Sequence, residues 1–94
     1  MKAVEIYGRK GCSACDGARK KFNTFIKKWD LKEKVIVKYF DMDTEEGVEN
    51  GAINGIVKIP TIVIVDTDRN KEITRWEGKS PISKEFENII KENL

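Results

Sequence analysis

Histidine is absent, and cysteine and proline appear twice each in a chain of 94 residues. A closed structural zinc site takes four Cys or His ligands, so this composition excludes one built within a single chain. Long apolar runs are missing as well. The longest, Ile62 to Val65, is far too short to span a bilayer. There is no block of Lys or Arg: the net charge is only +2 and basic residues alternate with acids, so neither a nucleic-acid partner nor a membrane partner is expected. The N-terminus carries no apolar signal-peptide segment, which gives a cytoplasmic location as the expectation. No internal repeat, low-complexity stretch or linker divides the chain, so residues 1–94 are read as one domain with a single modest core.

What is present is a soluble globular composition, 39% hydrophobic and 36% charged. Both cysteines fall in one motif, Cys12-Ser13-Ala14-Cys15. In a cytoplasmic chain such a pair points to redox catalysis or metal binding rather than to a structural staple. Before it, Lys2 to Tyr7 alternates like a strand, and Gly8 to Gly11 can turn. After it, Cys15, Ala18, Phe22, Ile26 and Trp29 recur at helical spacing. Cys12 is thereby expected at a helix N-terminus, where unpaired N–H groups and the macrodipole favour an anion. A thiolate is such an anion and is the reactive form of cysteine.

Further along, Lys34 to Phe40 reads as a second strand rich in β-branched and aromatic residues. Thr44 is a candidate cap for a helix whose first turn holds Glu45 and Glu46. Gly47 and Gly51 weaken that helix, and Asn54-Gly55 stops it. Thr61 to Val65 reads as a buried central strand. A turn over 66–70 returns the chain as a fourth strand, Lys71 to Glu77. Ser80-Pro81 reads as a cap and first helical residue. Ile82, Phe86, Ile89, Ile90 and Leu94 then line the final helix. The order is β-α-β-α-β-β-α. A right-handed crossover makes the first two strands parallel, and the last two form an antiparallel hairpin.

This pattern resembles the thioredoxin/glutaredoxin superfamily over nearly the whole chain. Two motifs carry the resemblance: the strand-turn-Cys12-Ser13-Ala14-Cys15-helix unit, and Gly55-Ile56-Val57-Lys58-Ile59-Pro60-Thr61, which is similar to the family's cis-proline loop before a buried strand. The implied architecture is an α/β thioredoxin fold, a four-stranded mixed sheet flanked by three helices. With about one strand before its first cysteine, the chain is closer in length to glutaredoxins or small glutaredoxin-like thioredoxins than to full thioredoxins. It departs from both branches in detail. Gly11 stands where thioredoxins carry tryptophan, Ser13-Ala14 replaces Gly-Pro, and Ile6 occupies the register of the thioredoxins' buried aspartate. Glutaredoxins carry Cys-Pro-Tyr-Cys and a Gly-Gly pair after the last strand, where this chain has Gly78-Lys79. Arg9 falls where glutaredoxins often place a glutathione-contacting lysine.

The resemblance and the residues together imply a thiol–disulfide oxidoreductase without a bound cofactor or metal. Cys12 is expected to be the exposed nucleophile, its pKa lowered from about 8.5 by the helix end and by Arg9 or Lys10. Its thiolate attacks a substrate disulfide, and Cys15, one turn inside and shielded, resolves the mixed disulfide. Positions i and i+3 share a helix face, so the sulfurs can meet without unwinding. The resemblance further implies a cis bond between Ile59 and Pro60 and an Ile59 backbone free to pair with an extended substrate. Ser13, Ala14, Ile59, Pro60 and Thr61 are the expected substrate-facing set, with Ser13 and Ala14 also tuning the potential. The expected partners are disulfide-containing proteins and either a thioredoxin-reductase-like enzyme or glutathione as donor. A monomer is expected.

Other readings of the same residues remain open at this level. Two chains could pool four thiolates around a metal or an iron–sulfur cluster, making a carrier that dimerises through Cys12 and Cys15. The segment Asp66 to Glu77 matches a calcium loop at positions one, three, five and twelve, yet Lys71 replaces the required glycine and the flanks read as strands. Asp16 is read as complementing the helix N-terminus, with a role as base for Cys15 as the alternative. Gly17 costs about 1 kcal/mol relative to Ala in a helix unless close packing or a bend requires it. Trp29 and Trp76 are read as packing residues.

Overall fold

The computed structural model describes residues 1–93, so the expected place of Leu94 on the last helix lies outside the described residues. Its elements are β1 (Lys2–Gly8), α1 (Ser13–Lys28), β2 (Val35–Asp41), α2 (Glu45–Ile53), β3 (Thr61–Asp66), β4 (Lys71–Glu77) and α3 (Ser83–Glu92). The sheet order is β2-β1-β3-β4. β1 and β2 are parallel, whereas β1–β3 and β3–β4 are antiparallel. β1 and β3 are therefore central, consistent with their apolar sequences.

Successive strand residues turn to opposite faces of the sheet. Val4 and Ile6 of β1, with Ile62 and Ile64 of β3, pack against Ala18, Phe22 and Ile26 of α1 and Phe86 and Ile90 of α3. Phe86 meets Phe22 edge-on at 4.6 Å and stacks on Phe25 at 5.5 Å. Such pairs add about 0.5–1.5 kcal/mol beyond the area they bury. Trp29 stacks on Phe25, and Trp76 is buried, so both are packing residues. On the other face, Tyr7 accepts a hydrogen bond from Asn54 Nδ2 at the end of α2 (3.1 Å) and stacks on Phe40. Arg75 of β4 reaches the same place and donates to the Asn54 carbonyl (2.8 Å).

α2 begins as its sequence implies, with Thr44 Oγ1 accepting from the Gly47 N–H (3.1 Å). Its two glycines have a packing cause. A Cβ on Gly47 would lie on the Asp41 carbonyl, and one on Gly51 would lie 2.6 Å from the Met42 terminal methyl. The absence of a side chain at these two positions is what lets the helix settle against the end of β2, at a cost in helix propensity.

Several boundaries differ from the sequence reading, β2 and β3 each running one residue further, to Asp41 and Asp66. Gly8 belongs to β1 rather than to the turn, since it pairs with Asp41 and its carbonyl accepts from Met42 N (2.7 Å). β2 starts at Val35 because the Lys34 N–H closes a turn onto the Leu31 carbonyl (2.9 Å). The larger correction concerns α3. Ser80-Pro81 neither caps nor opens it: the N-cap is Ile82, in extended conformation and without a side-chain cap. Pro81 is instead buried, and its carbonyl accepts from Lys21 Nζ of α1 (2.8 Å), so the helix begins only after the extended Ile82.

The segment over 66–70 is a hairpin turn, with Asp66 Oδ1 accepting from the Asp68 N–H (3.1 Å). Burial favours the neutral Asp66 carboxyl, but the Arg69 N–H and Lys2 outweigh it and hold its pKa below the usual carboxylate range. Strands β3 and β4 flank this turn, whereas a calcium loop of that pattern lies between helices.

Candidate functional site

β1 delivers the chain to the cysteine turn, where Gly11 takes a positive φ of 79°. Cys12 is the N-cap of α1, in extended conformation, and its Sγ accepts from the Cys15 N–H at 3.1 Å. The sulfur thus occupies the place that a serine or aspartate oxygen takes in ordinary caps. An N–H donor aimed at sulfur, at the positive end of a sixteen-residue helix, stabilises a thiolate more than a thiol. Asp16 opposes this from the first turn, but its carboxylate is exposed. Cys12 is half-buried whereas Cys15 has no exposed surface. The two are joined as a disulfide, with Cα atoms 5.2 Å apart. An accessible sulfur and a shielded one can interconvert between dithiol and disulfide without moving the backbone far.

The second motif lies beside the first. Tyr7 pairs with Thr61, so Pro60 comes alongside Gly8 at the same end of the sheet. The Ile59–Pro60 peptide is cis. Thr61 Oγ1 donates to the Lys58 carbonyl (2.6 Å), bracing the loop. Ser13 and Ala14 are exposed and Ile59 is half-exposed, but Pro60 and Thr61 are buried. Thr61 therefore corrects the expected set: its side chain has no surface to offer a substrate, and its hydroxyl is committed to the loop. Val57, by contrast, is an exposed apolar side chain that the sequence reading passed over. Gly78 also comes to this end, close enough that a Cβ on it would meet the Lys58 side chain at 3.4 Å.

Of the two candidate tuning cations, Arg9 has a carboxylate partner, with Nε 3.8 Å from Asp43 Oδ1. Part of its charge is thereby offset before it reaches the sulfur. Lys10 is exposed.

Besides Val57, sequence reasoning missed two residues. A Cβ placed on Gly8 would lie 2.7 Å from Cys15 Cβ, 2.9 Å from Cys15 Sγ and 2.7 Å from the Tyr39 hydroxyl oxygen. Glycine is required there by close approach, since real Cβ contacts are not so short. Tyr39 is half-exposed and Arg19 of α1 lies over its ring, the guanidinium carbon 4.7 Å from the centroid. Burial, and then Asp16 and Asp41, push the Tyr39 hydroxyl pKa up. The period-two pattern Val35, Val37, Tyr39 carried the signal, because it sets Tyr39 on the face that α1 covers.

A four-stranded mixed sheet in the order β2-β1-β3-β4, three helices, a C-x-x-C at the start of the first helix and a cis-proline loop beside it occur together in one known architecture. The chain has the thioredoxin fold. Thioredoxin 1 of Thermosipho africanus superposes with a TM-score of 0.76 at 25% identity, covering 98% of this chain and 93% of that one. Thioredoxin of Fasciola hepatica matches with a TM-score of 0.72 at 24% identity over 96% and 79%. The germline-specific thioredoxin Deadhead of Drosophila melanogaster matches with 0.76 at 17% identity over 99% and 81%. No protein-family model and no curated relative matches the sequence. The likeness is therefore structural, and with the bridged Cys12–Cys15 pair it supports thiol–disulfide redox chemistry in general terms.

Proposed function

We propose that the chain is a thiol–disulfide oxidoreductase that reduces protein or small-molecule disulfides, with Cys12 as nucleophile and Cys15 as resolving residue. The observation that carries this reading is the asymmetry of the pair: Cys12 is only half-buried and its Sγ is capped by an N–H, while Cys15 is fully buried. In the dithiol form the Cys12 thiolate attacks one sulfur of a substrate disulfide. That S–S bond breaks, and the departing sulfur leaves as a thiolate and takes a proton from water. The Cys15 thiolate then attacks Cys12 Sγ, the mixed disulfide breaks, and the second substrate sulfur leaves in the same way. The substrate gains two electrons and the protein is left as the Cys12–Cys15 disulfide.

Ser13, Ala14, the Ile59 backbone and Val57 form the surface against which an extended substrate would pair. Pro60 and Thr61 hold that surface in place. Arg9 and Lys10 favour the thiolate through charge. Disulfide-containing proteins are the proposed substrates. Either a reductase of the thioredoxin-reductase kind or glutathione returns the electrons, in a reducing, cytoplasmic compartment. Arg9, at a position where the resemblance places a glutathione contact, makes glutathione one of the two donors to test.

A redox titration in glutathione and dithiothreitol buffers tests the reading, with Cys15→Ser and Cys12→Ser variants beside it. We expect a reversible two-electron transition, a trapped mixed disulfide in Cys15→Ser and none in Cys12→Ser. A potential near about −270 mV favours a reductase as donor, and one near about −200 to −230 mV favours glutathione. Equal trapping by both variants, or no disulfide in any buffer, overturns the proposal.

A further inference from the structure

Once the Cys12–Cys15 bond is opened, Cys15 must hold either a proton or a charge on a side chain that is fully buried in the disulfide form. A bare thiolate in such a place is disfavoured by desolvation. The strand residues beneath offer little help, because Ile6 is aliphatic and Gly8 has no side chain. A polar atom close to the same space is the Tyr39 hydroxyl: a Cβ built on Gly8 would lie 2.7 Å from it and 2.9 Å from Cys15 Sγ. Ile6 and Tyr39 are direct neighbours in the β1–β2 register, so the phenol rises from the strand beside the one under Cys15.

We propose that Tyr39 is a positioning residue for Cys15: in the dithiol form its hydroxyl donates a hydrogen bond to the Cys15 sulfur and stabilises the thiolate that resolves the mixed disulfide. This rests on the oxidoreductase reading for its role in turnover, but not for the interaction itself. The step needs no new co-reactant. The Cys15 proton passes to solvent, the phenol keeps its own, and the electron pair on Cys15 Sγ forms the bond to Cys12 Sγ as the bond to substrate breaks.

The surroundings suit a donor that stays protonated. From α1, Arg19 lies over the ring and Asp16 faces it; Asp41 faces it from β2; β1 contributes no charge there. Burial and the two carboxylates outweigh Arg19 and push the phenol pKa up, away from the range in which a cysteine titrates. Gly8 is the other half of the arrangement, since any side chain there would separate hydroxyl from sulfur.

The test uses Cys12→Ser chains, in which Cys15 is the sole thiol, and reads its ionisation from thiolate ultraviolet absorbance, which requires no access to a reagent. Tyr39→Phe removes one oxygen and leaves the ring beneath Arg19. We expect the Cys15 titration to move up by about one pH unit in Tyr39→Phe. With both cysteines present, the thiolate fraction at neutral pH then falls about tenfold, while the more basic sulfur recovers part of the loss as nucleophilicity. Resolution of the mixed disulfide should slow about three- to fourfold, with Cys12 attack unchanged. An identical Cys15 titration in the two chains overturns the proposal, whatever the variant does to stability. A normal shift in a protein that reduces no disulfide would instead sink the oxidoreductase reading and leave the hydrogen bond standing.

Discussion

Two glycines near the cysteines look alike in sequence and behave oppositely in space. Gly8 faces Cys15 and Tyr39 at distances no methyl group tolerates, whereas nothing lies within 4 Å of the position a Cβ on Gly17 would take. Gly8→Ala should therefore destabilise the protein by about 1–3 kcal/mol through overpacking. Gly17→Ala should stabilise it by about 0.5–1 kcal/mol, because α1 loses a flexible residue at no steric cost. Urea unfolding of both variants measures the difference in sign. Tyr7 supplies a pH signature. Burial first, then the charge of Glu5, push its pKa up to about 12. The folded protein thus keeps a proton that an unfolded tyrosine loses near pH 10. Stability from this group is fully present below pH 10 and falls as pH rises toward about 12, by an amount on the order of 2 kcal/mol. Alkaline unfolding of Tyr7→Phe should show a smaller loss across that window than the parent chain.

At the level of elements, the three helices begin in three ways, and each start has a different consequence. α1 starts on a sulfur, α2 on a threonine hydroxyl, and α3 on an exposed isoleucine with no cap. Thr44→Ala should cost about 1 kcal/mol, the ordinary value of an N-cap. Ser80→Ala should stay within about 0.5 kcal/mol, since Ser80 lies outside the helix it was expected to cap. Ile82→Asp should raise stability by about 0.5–1 kcal/mol by supplying the missing acceptor. Thermal melts of the three variants rank them, and a Ser80→Ala loss equal to that of Thr44→Ala would contradict the observed start of α3. The Ser80-Pro81 signal was misleading for a physical reason: a proline suits the first helical turn, but it equally suits a buried extended segment. The Lys21 hydrogen bond to its carbonyl, sixty residues away in the chain, decided between them.

For the whole molecule, stability is concentrated where α1 and α3 meet on one face of the sheet. Phe86 touches Phe22, Phe25 and Trp29 there, so it ties the last helix to the first. Phe86→Ala should cost about 3–5 kcal/mol, which is much of the 5–15 kcal/mol available to a typical domain. Far-ultraviolet circular dichroism during urea titration would detect the loss as an early midpoint. The opposite face is held differently, by one short helix pinned through Asn54 to Tyr7 and Arg75. Polar ties of this kind reach across α2, β1 and β4, and no local pattern announces them.

Element types, their order and the helical setting of Cys12 and Cys15 were legible in the sequence because they depend on period, propensity and local turn chemistry. Val4 and Ile6 alternate, Ala18, Phe22 and Ile26 recur, and Thr44 precedes two glutamates; each of these is decided within a few residues. Even the nearness of the two sulfurs follows from a three-residue offset on a helix. What the tertiary structure alone decided are the relations between segments far apart in the chain. It set β1 against β3, Pro60 beside Gly8, Thr61 inside rather than at the surface, and Tyr39 next to Cys15. Such contacts arise from the strand order and from the packing of α1 on the sheet, in which the emptiness of Gly8 has meaning only once its neighbours are in place.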